Sequence, residues 1–564
     1  MKKQLILAVL ICCFGVLGFA NPDGKTKINI ILKEQANATE LMRTASIFPN
    51  KTARRNFVVS SLKRQAEQSQ YELIQFLKEL ETNGLVEDIR PLWIVNSVSC
   101  YADEALIGDL ELCDDILAVY HCEQLPFLDD EPAQPADRGD GREITQNLLQ
   151  VNADQVWELG YTGEGVLIAI IDTGVSLTHT DLQGRYWEGG EEYPNHGYDF
   201  ADHDNDPSDN NGHGTHVAGT ICGTGVSGSQ TGVAPGARFM ALKVFGNDQQ
   251  TDEAVLVEAM QFAIEHGADL MNMSLGWPDP SAQVKQLYRQ ACDNTLAVGL
   301  VAAVCAGNIR LFQDIIPVPR NIYSPGDCPP PYLHEDQMVN AGGISCVISV
   351  GAVDYNDEIT YFSSEGPSTW TDVMLYNDYP YDPTSSTEIG LIRPDLCAPG
   401  SEIKSLDYLN DDGYCFMDGT SMATPCVAGT IALMLSKNPE LTPAEIDKIL
   451  EGTAVPLSEH KNNDTGSGRI DALAAIQEVP DWDGTAESTE NHATIFPNPS
   501  TGSFTIQCEG MTQIEVFSMD GKLIKSINTE NPVQQINGMP NGTYLVKITA
   551  NNRMFVKKVV KLGI

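Results

Sequence analysis

Positive charge is scarce in this chain. Its 564 residues carry 35 lysines and arginines against 77 aspartates and glutamates, for a formal net charge of −42. So acidic a surface repels phosphate backbones and anionic lipid, which excludes nucleic acid and an anionic membrane as partners. Long apolar runs are missing too. Beyond residues 4–19, no stretch is long and apolar enough to span a bilayer. Nor do cysteines and histidines take the paired spacing of a zinc site anywhere, so no metal centre of that kind is expected.

The chain begins with Met1-Lys2-Lys3, an apolar run over 4–19, and the small residues Gly18 and Ala20 before Asn21. This pattern predicts a signal peptide over residues 1–20 and export through the periplasm, to a secreted or cell-surface location. Cys12 and Cys13 would suit a lipoprotein, but Ile11 stands where a small residue is wanted. Cys222, Cys305 and Cys426 lie in apolar runs and read as buried thiols. Cys328 and Cys346 flank an irregular segment and are the pair expected to oxidise after export. The length predicts about three or four domains.

Three stretches carry the chemistry. The apolar run 166–171 reads as a strand buried on both faces of a parallel sheet, and it ends in Asp172-Thr173-Gly174. Open α/β sheets keep functional groups at that carboxyl end. Asn211-Gly212-His213-Gly214-Thr215-His216 places a histidine on a glycine-flanked turn entering a small-residue helix. Spacing alone leaves His213 and His216 as rivals for the role of base. Gly419-Thr420-Ser421-Met422-Ala423-Thr424-Pro425 then reads as a nucleophile at a helix N-terminus, with Pro425 expected in the first turn. There the positive end of the helix dipole could favour a developing oxyanion.

Taken together, these stretches resemble those of the subtilisin-like serine proteases, in that family's order Asp, His, Ser. The resemblance covers residues 141–479. It implies a doubly wound parallel α/β sheet and a serine endopeptidase in which Asp172 orients His213, His213 takes the proton of Ser421, and an acyl-enzyme forms. It also gives Asn308 the role of oxyanion donor, assigns Ser274, Leu275 and Gly276 to the segment that pairs with substrate backbone, and leaves His216 structural. Protein or peptide substrates are the implied partners. No cofactor is implied as required. Asp181 matches a calcium ligand of compact relatives, yet Arg142 and Val226 fall where oxygen ligands are expected, so calcium is expected to matter little. The acidic loop 199–209 is an alternative calcium site, or simply a solvated loop. Two insertions, around 310–339 and 369–389, lengthen the interval between Asn308 and Ser421.

On either side the pattern changes. Residues 21–140 alternate as β-α-β-α-β, with one strand expected over 89–98, and are similar in order and placement to the pro-segments of such proteases. This implies an α+β folding template that acts as an intramolecular inhibitor and is cut off in the polar linker, between about Cys122 and Glu143. After a linker at 480–492, residues 493–564 alternate apolar and polar, with hairpin turns expected at Asp520-Gly521 and Asn541-Gly542. This small all-β sandwich is similar to the C-terminal sorting domains of the type IX secretion route of Bacteroidota, so the secretion machinery is a further implied partner. Two other readings compete: an inactive surface binding protein on a protease scaffold, and an esterase. The esterase would need its nucleophile before Asp and His, which this order lacks.

Overall fold

The computed structural model describes residues 24–482 apart from 49, 128–132, 138–142, 332–336 and 338–343, and residues 493–562 apart from 509, 519–520 and 551–552. The signal peptide, Arg142, Asp520 and most of the 480–492 linker lie outside the described residues.

The continuous apolar runs become neighbours in one seven-stranded sheet. Its order is Leu396–Pro399, Val347–Val353, Val301–Cys305, Leu270–Met273, Leu167–Asp172, Arg238–Lys243 and Gly197–Asp199. Every adjacent pair is parallel. Leu167–Asp172 is the first of these strands in the chain and lies inside the sheet. Later strands add first on one side of it and then on the other, so strand order reverses at its edge. In open α/β sheets a crevice opens at that reversal, beside the carboxyl ends of the strands.

Helices cover both faces. Thr420–Lys437 and His213–Cys222 are buried against one. Close packing needs the small residues of the longer helix: a Cβ on Gly429 would lie 2.5 Å from that of Val233. Glu253–Glu265, capped by Asp252, and Ala282–Val298 cover the other face. The first of this second pair reads as amphipathic in sequence, yet nearly all of it is buried. Its outer side is covered by the N-terminal region.

That region is a four-stranded antiparallel sheet, in the order Val86–Leu92, Ser97–Asp103, Lys25–Leu32 and Ile116–His121, backed by the 32-residue helix Lys51–Thr82. The single strand expected over 89–98 is corrected to two strands and a turn. The turn, Trp93 to Asn96, opens on three apolar residues because it docks: Trp93 Nε1 donates to Glu265 at 2.7 Å, and the Ile94 carbonyl accepts from Asn294 at 2.6 Å. An apolar turn hides from alternation analysis.

The two insertions pack on Ala282–Val298. Arg289, buried within that helix, forms a forked pair with Asp378 of the second insertion at 2.7 and 2.8 Å. Trp370 Nε1 of the same insertion donates to the Asp327 carbonyl of the first.

At the C-terminus two antiparallel sheets face each other over a shared core that includes Phe504, Ile514, Val516, Val546 and Ile548. Met511–Ser518 and Leu523–Asn528 pair antiparallel, as the expected first hairpin requires. The second expected hairpin is corrected: Val533–Ile536 and Gly542–Ala550, which flank Asn541-Gly542, belong to different sheets. The turn carries the chain from one sheet to the other.

Candidate active site

Asp172 ends its strand almost wholly buried. Its Oδ1 accepts from the Thr173 amide at 2.7 Å and lies 2.8 Å from His213 Nδ1. His213 starts its helix directly after Gly212, whose φ of 108° favours glycine. Gly214 is needed for another reason: a Cβ there would sit 2.0 Å from the Gly174 carbonyl oxygen and 3.1 Å from Asp172. Asp209 fixes the turn that aims His213. It accepts from the amides of Asn211, Gly212 and Thr215 and from the hydroxyls of Thr173 and Thr215. Burial holds its carboxyl above the ordinary range against the pull of those bonds. Its place within an acidic loop disguised this role in the sequence.

His216 is elsewhere. Its Nε2 lies 2.9 Å from the Ile403 carbonyl in the core, and burial pushes its pKa down to about 3. It is a neutral structural histidine. Of the two histidines that spacing left as rivals, His213 is the one brought to Asp172.

Ser421 stands in the first turn of Thr420–Lys437, and Pro425 lies in the second turn, not the first as expected. A proline there removes the N–H that would bond the carbonyl four residues back, that of Ser421. The vacancy is filled from outside the helix, because Ser274 Oγ donates to the Ser421 carbonyl at 2.9 Å. In return, Ser421 Oγ donates to the Ser274 carbonyl at 3.1 Å. Asn272 Nδ2 holds the Ser274 hydroxyl at 3.0 Å. The Ser274-Leu275-Gly276 segment therefore both lines the cleft and clamps the serine.

Asn308 lines the same cleft. Its Oδ1 accepts from the Thr420 amide and hydroxyl, both at 2.9 Å, which turns the NH₂ end of the amide away from that helix. Thr420 was not singled out in sequence, although its place beside Ser421 was the available signal. Tyr323, from the first insertion, closes one wall. It leaves Gly307 no room for a side chain, since a Cβ would come within 2.5 Å of the ring.

A strand of the N-terminal region lies across this cleft. Leu125–Pro126 pairs antiparallel with Gln250–Thr251, and the Phe127 amide donates to the Gln249 carbonyl at 2.8 Å. Trp277 Nε1 donates to the Pro126 carbonyl at 2.8 Å. The Phe127 ring meets His213 edge-on, with centroids 5.0 Å apart, and packs on Phe245 at 5.1 Å. Sequence reasoning placed a cleavage zone here but not a cleft occupant. The apolar Leu-Pro-Phe ahead of an acidic linker was the clue.

The family's calcium fits these residues poorly. Asp181 spends one carboxylate oxygen on the Ser227 amide and the other on the Tyr414 hydroxyl, both at 2.7 Å. Val226 is exposed and offers no side-chain oxygen. The acidic loop is neither a cage nor merely solvated. Asp199 pairs with Lys243 at 2.7 Å and caps two amides, while Asp204 and Asp206 cap their own turns. Adding a chelator to the purified protein should therefore lower its melting temperature by less than about 2 °C, because a tightly held ion would contribute several kcal/mol. A fall of several degrees in a thermal scan would overturn this.

A buried aspartate hydrogen-bonded to histidine at the switch point of a parallel sheet, and a serine on a helix N-terminus lining a cleft whose Phe127 meets that histidine, make the setting of a serine-type endopeptidase. The chain belongs to the subtilase family: the model described as "Subtilase family" matches residues 163–472, more than half of it. Residues 494–562 match a "Secretion system C-terminal sorting domain". Subtilisin DY of Bacillus licheniformis is 32% identical over 339 residues, 59% of this chain and 99% of that protein. Serine protease AprX of Bacillus subtilis is 29% identical over 419 residues, 68% and 80% of the two chains. Bacillopeptidase F of Bacillus subtilis is 30% identical over 576 residues, 94% of this chain but 36% of that longer protein. The sorting domain marks the protein for type IX export, to the cell surface or beyond. Among the described residues, no helix is long and apolar enough to cross a membrane.

Proposed function

We propose that this peptidase hydrolyses peptide bonds through Ser421, His213 and Asp172, and that residues 21–140 are its own removable inhibitor. Ser421 Oγ attacks the carbonyl while His213 accepts its proton. Asp172, at Nδ1, holds the ring's orientation and stabilises the imidazolium. The Asn308 NH₂ and the Ser421 backbone N–H donate to the developing oxyanion. The acyl-enzyme then yields to water, activated by the same histidine. Substrate extends along Gln249–Thr251 and Ser274–Gly276, backbone against backbone, which accepts many sequences and leaves selection to side-chain pockets. The observation that carries this reading is the strand 125–127 in the cleft, with Phe127 against His213. The bond presented to Ser421 should lie just beyond it. Purified wild-type chain is expected to cut itself within about two residues after Phe127, in line with a subsite spacing of one residue per extended step. N-terminal sequencing of the matured protein reads this directly. A first cut before Leu125 or after Glu143 would sink the assignment.

Inhibition by the separated N-terminal region should weaken as pH rises. Glu253 lies buried beneath that region, with Oε2 accepting from the Glu123 amide. Burial first, and the Asp252 charge second, push its pKa up to about 8 from an ordinary 4.5. The other groups facing it keep their state. Asp252 holds Lys27 charged although burial opposes it, and burial keeps Cys122, Tyr120 and Tyr288 neutral. Glu253 thus keeps a proton in the complex and loses it when the region departs into water. Binding is strongest below pH 4.5 and weakens up to about 8, by at most about tenfold per unit. Inhibition constants measured from pH 5 to 9 test the sign. Tighter inhibition at the alkaline end would refute it.

A further inference from the structure

One outer face of the C-terminal sandwich carries apolar residues where solvent would be expected. In Met511–Ser518 and Gly542–Ala550 the side chains of Val516 and Val546 enter the sandwich core, so their neighbours Phe517 and Leu545 turn outward. The two are cross-strand partners. Lys547, on the same side as Leu545, pairs with Val556 of the last strand, Arg553–Lys561, which brings Val556 to that face as well. The outer face of an antiparallel sheet is ordinarily solvated. Here Phe517 is only 9% exposed and Leu545 only 5%.

Their cover is the N-terminal region. Ile47 joins Phe517 and Leu545 in one buried cluster, and Phe48, Phe57 and Val556 pack around it. Ile47 and Phe48 lie in the link between the helices Ala38–Ala45 and Lys51–Thr82, and Phe57 stands in the second turn of the latter. The Phe48 and Phe57 rings are 5.0 Å apart. A second contact lies beside this one. The turn after Met511–Ser518 approaches the end of Ala38–Ala45 so closely that a Cβ on Gly521 would come 2.4 Å from Thr44 Oγ1. Thr44 is buried there. We propose that the sorting sandwich is a second anchor for the N-terminal region: its outer face holds the corner formed by Ile47, Phe48 and Phe57, and is bared when that region leaves. The proposal rests on the reading of residues 21–140 as a removable inhibitor.

After a cut near Phe127 the freed region is held in two places. On the catalytic side Trp93, Ile94 and Phe127 dock, and on the other the sandwich grips the helical corner. Both surfaces belong to one chain, so the second contact forms at high effective concentration once the first is made. Losing it speeds release without touching the cleft. The matured protein then turns Phe517 and Leu545 toward water, an apolar patch that the uncut chain keeps covered. The sandwich thus shows one surface before maturation and another after it, although its own strands are unchanged.

Carbene footprinting of the full-length chain, read by mass spectrometry, tests the contact. In uncut Ser421→Ala protein, Phe517 and Leu545 should take several-fold less label than Leu523, the 48% exposed partner of Phe517 on the next strand. Both should gain label several-fold in self-matured wild type freed of its N-terminal region. Equal labelling in the two forms would overturn the proposal. Release is read separately. Leu545→Glu in an otherwise wild-type chain sets a carboxylate against Ile47, and should shorten the lag before peptidase activity appears by about tenfold. The activity of the fully matured enzyme should not change. An unaltered lag would remove the second anchor. Leu545 lies outside the sandwich core, and if the glutamate variant nonetheless fails to fold, Leu545→Ala decides, with a lag shortened about threefold. Were the N-terminal region no inhibitor, wild type and variants alike would show no lag, which sinks the functional reading, and the footprint would then decide the contact by itself.

Discussion

Ser421→Ala is expected to lower peptide turnover by up to about 10⁶, or about 8 kcal/mol of barrier, the scale on which a lost triad nucleophile acts. The variant should still fold. The serine side chain contributes one hydrogen bond, to the Ser274 carbonyl, while the bond that compensates for Pro425 runs to the Ser421 backbone and survives. Phosphonylating reagents directed at active serines should label the wild type once, at Ser421, and leave the variant unmarked. The same variant should keep its N-terminal region attached in a refolding free of other proteases. Single-turnover assays and intact mass measure both effects. Turnover within tenfold of the wild type would remove Ser421 from the chemistry.

Asn308→Ala should cost about 10²–10³ in kcat with little change in KM, because an oxyanion donor acts mainly as the tetrahedral intermediate forms. Thr420 holds the amide through its oxygen end, so removing it leaves one backbone amide and one hydroxyl to find other partners. A matching rise in KM would indicate a role in ground-state binding instead. Thr420→Val removes the hydroxyl but keeps the backbone amide bond, so it should show a milder loss of the same kind. A larger loss than that of Asn308→Ala would give Thr420 a role beyond orienting the amide.

What could be read from sequence alone followed from how each residue does its work. Asp172, His213, Ser421 and Asn308 stand at the ends of apolar runs or beside glycines, where strand ends and helix starts are marked in the chain itself. The buried strand that ends in Asp172 was accessible for the same reason. Burial imposed by a distant partner was not. Trp93 to Val95 enters a turn while remaining apolar, because helices far along the chain cover it. Phe127 looks like linker until its ring is found against His213. Asp209 looks like one more acid in an acidic loop until five donors are found around it. Pro425 misled in a different way. The helix begins earlier than a proline-at-the-start rule suggests, and the conflict is resolved by Ser274, 147 residues away along the chain.

The exchange between Ser274 and Ser421 makes the serine's turn and the facing cleft segment a single mechanical part. Each gives a hydroxyl to the other's carbonyl, so a displacement of the Ser274–Gly276 segment carries the serine's turn along with it. The interval between them is then fixed by its own pair of bonds and not by the elements packed around it. In reactions where about 1 Å of misplacement can cost a hundredfold, such a fixed interval keeps aim constant while the surroundings change. A protein exported to the cell surface or beyond keeps this alignment wherever it is delivered.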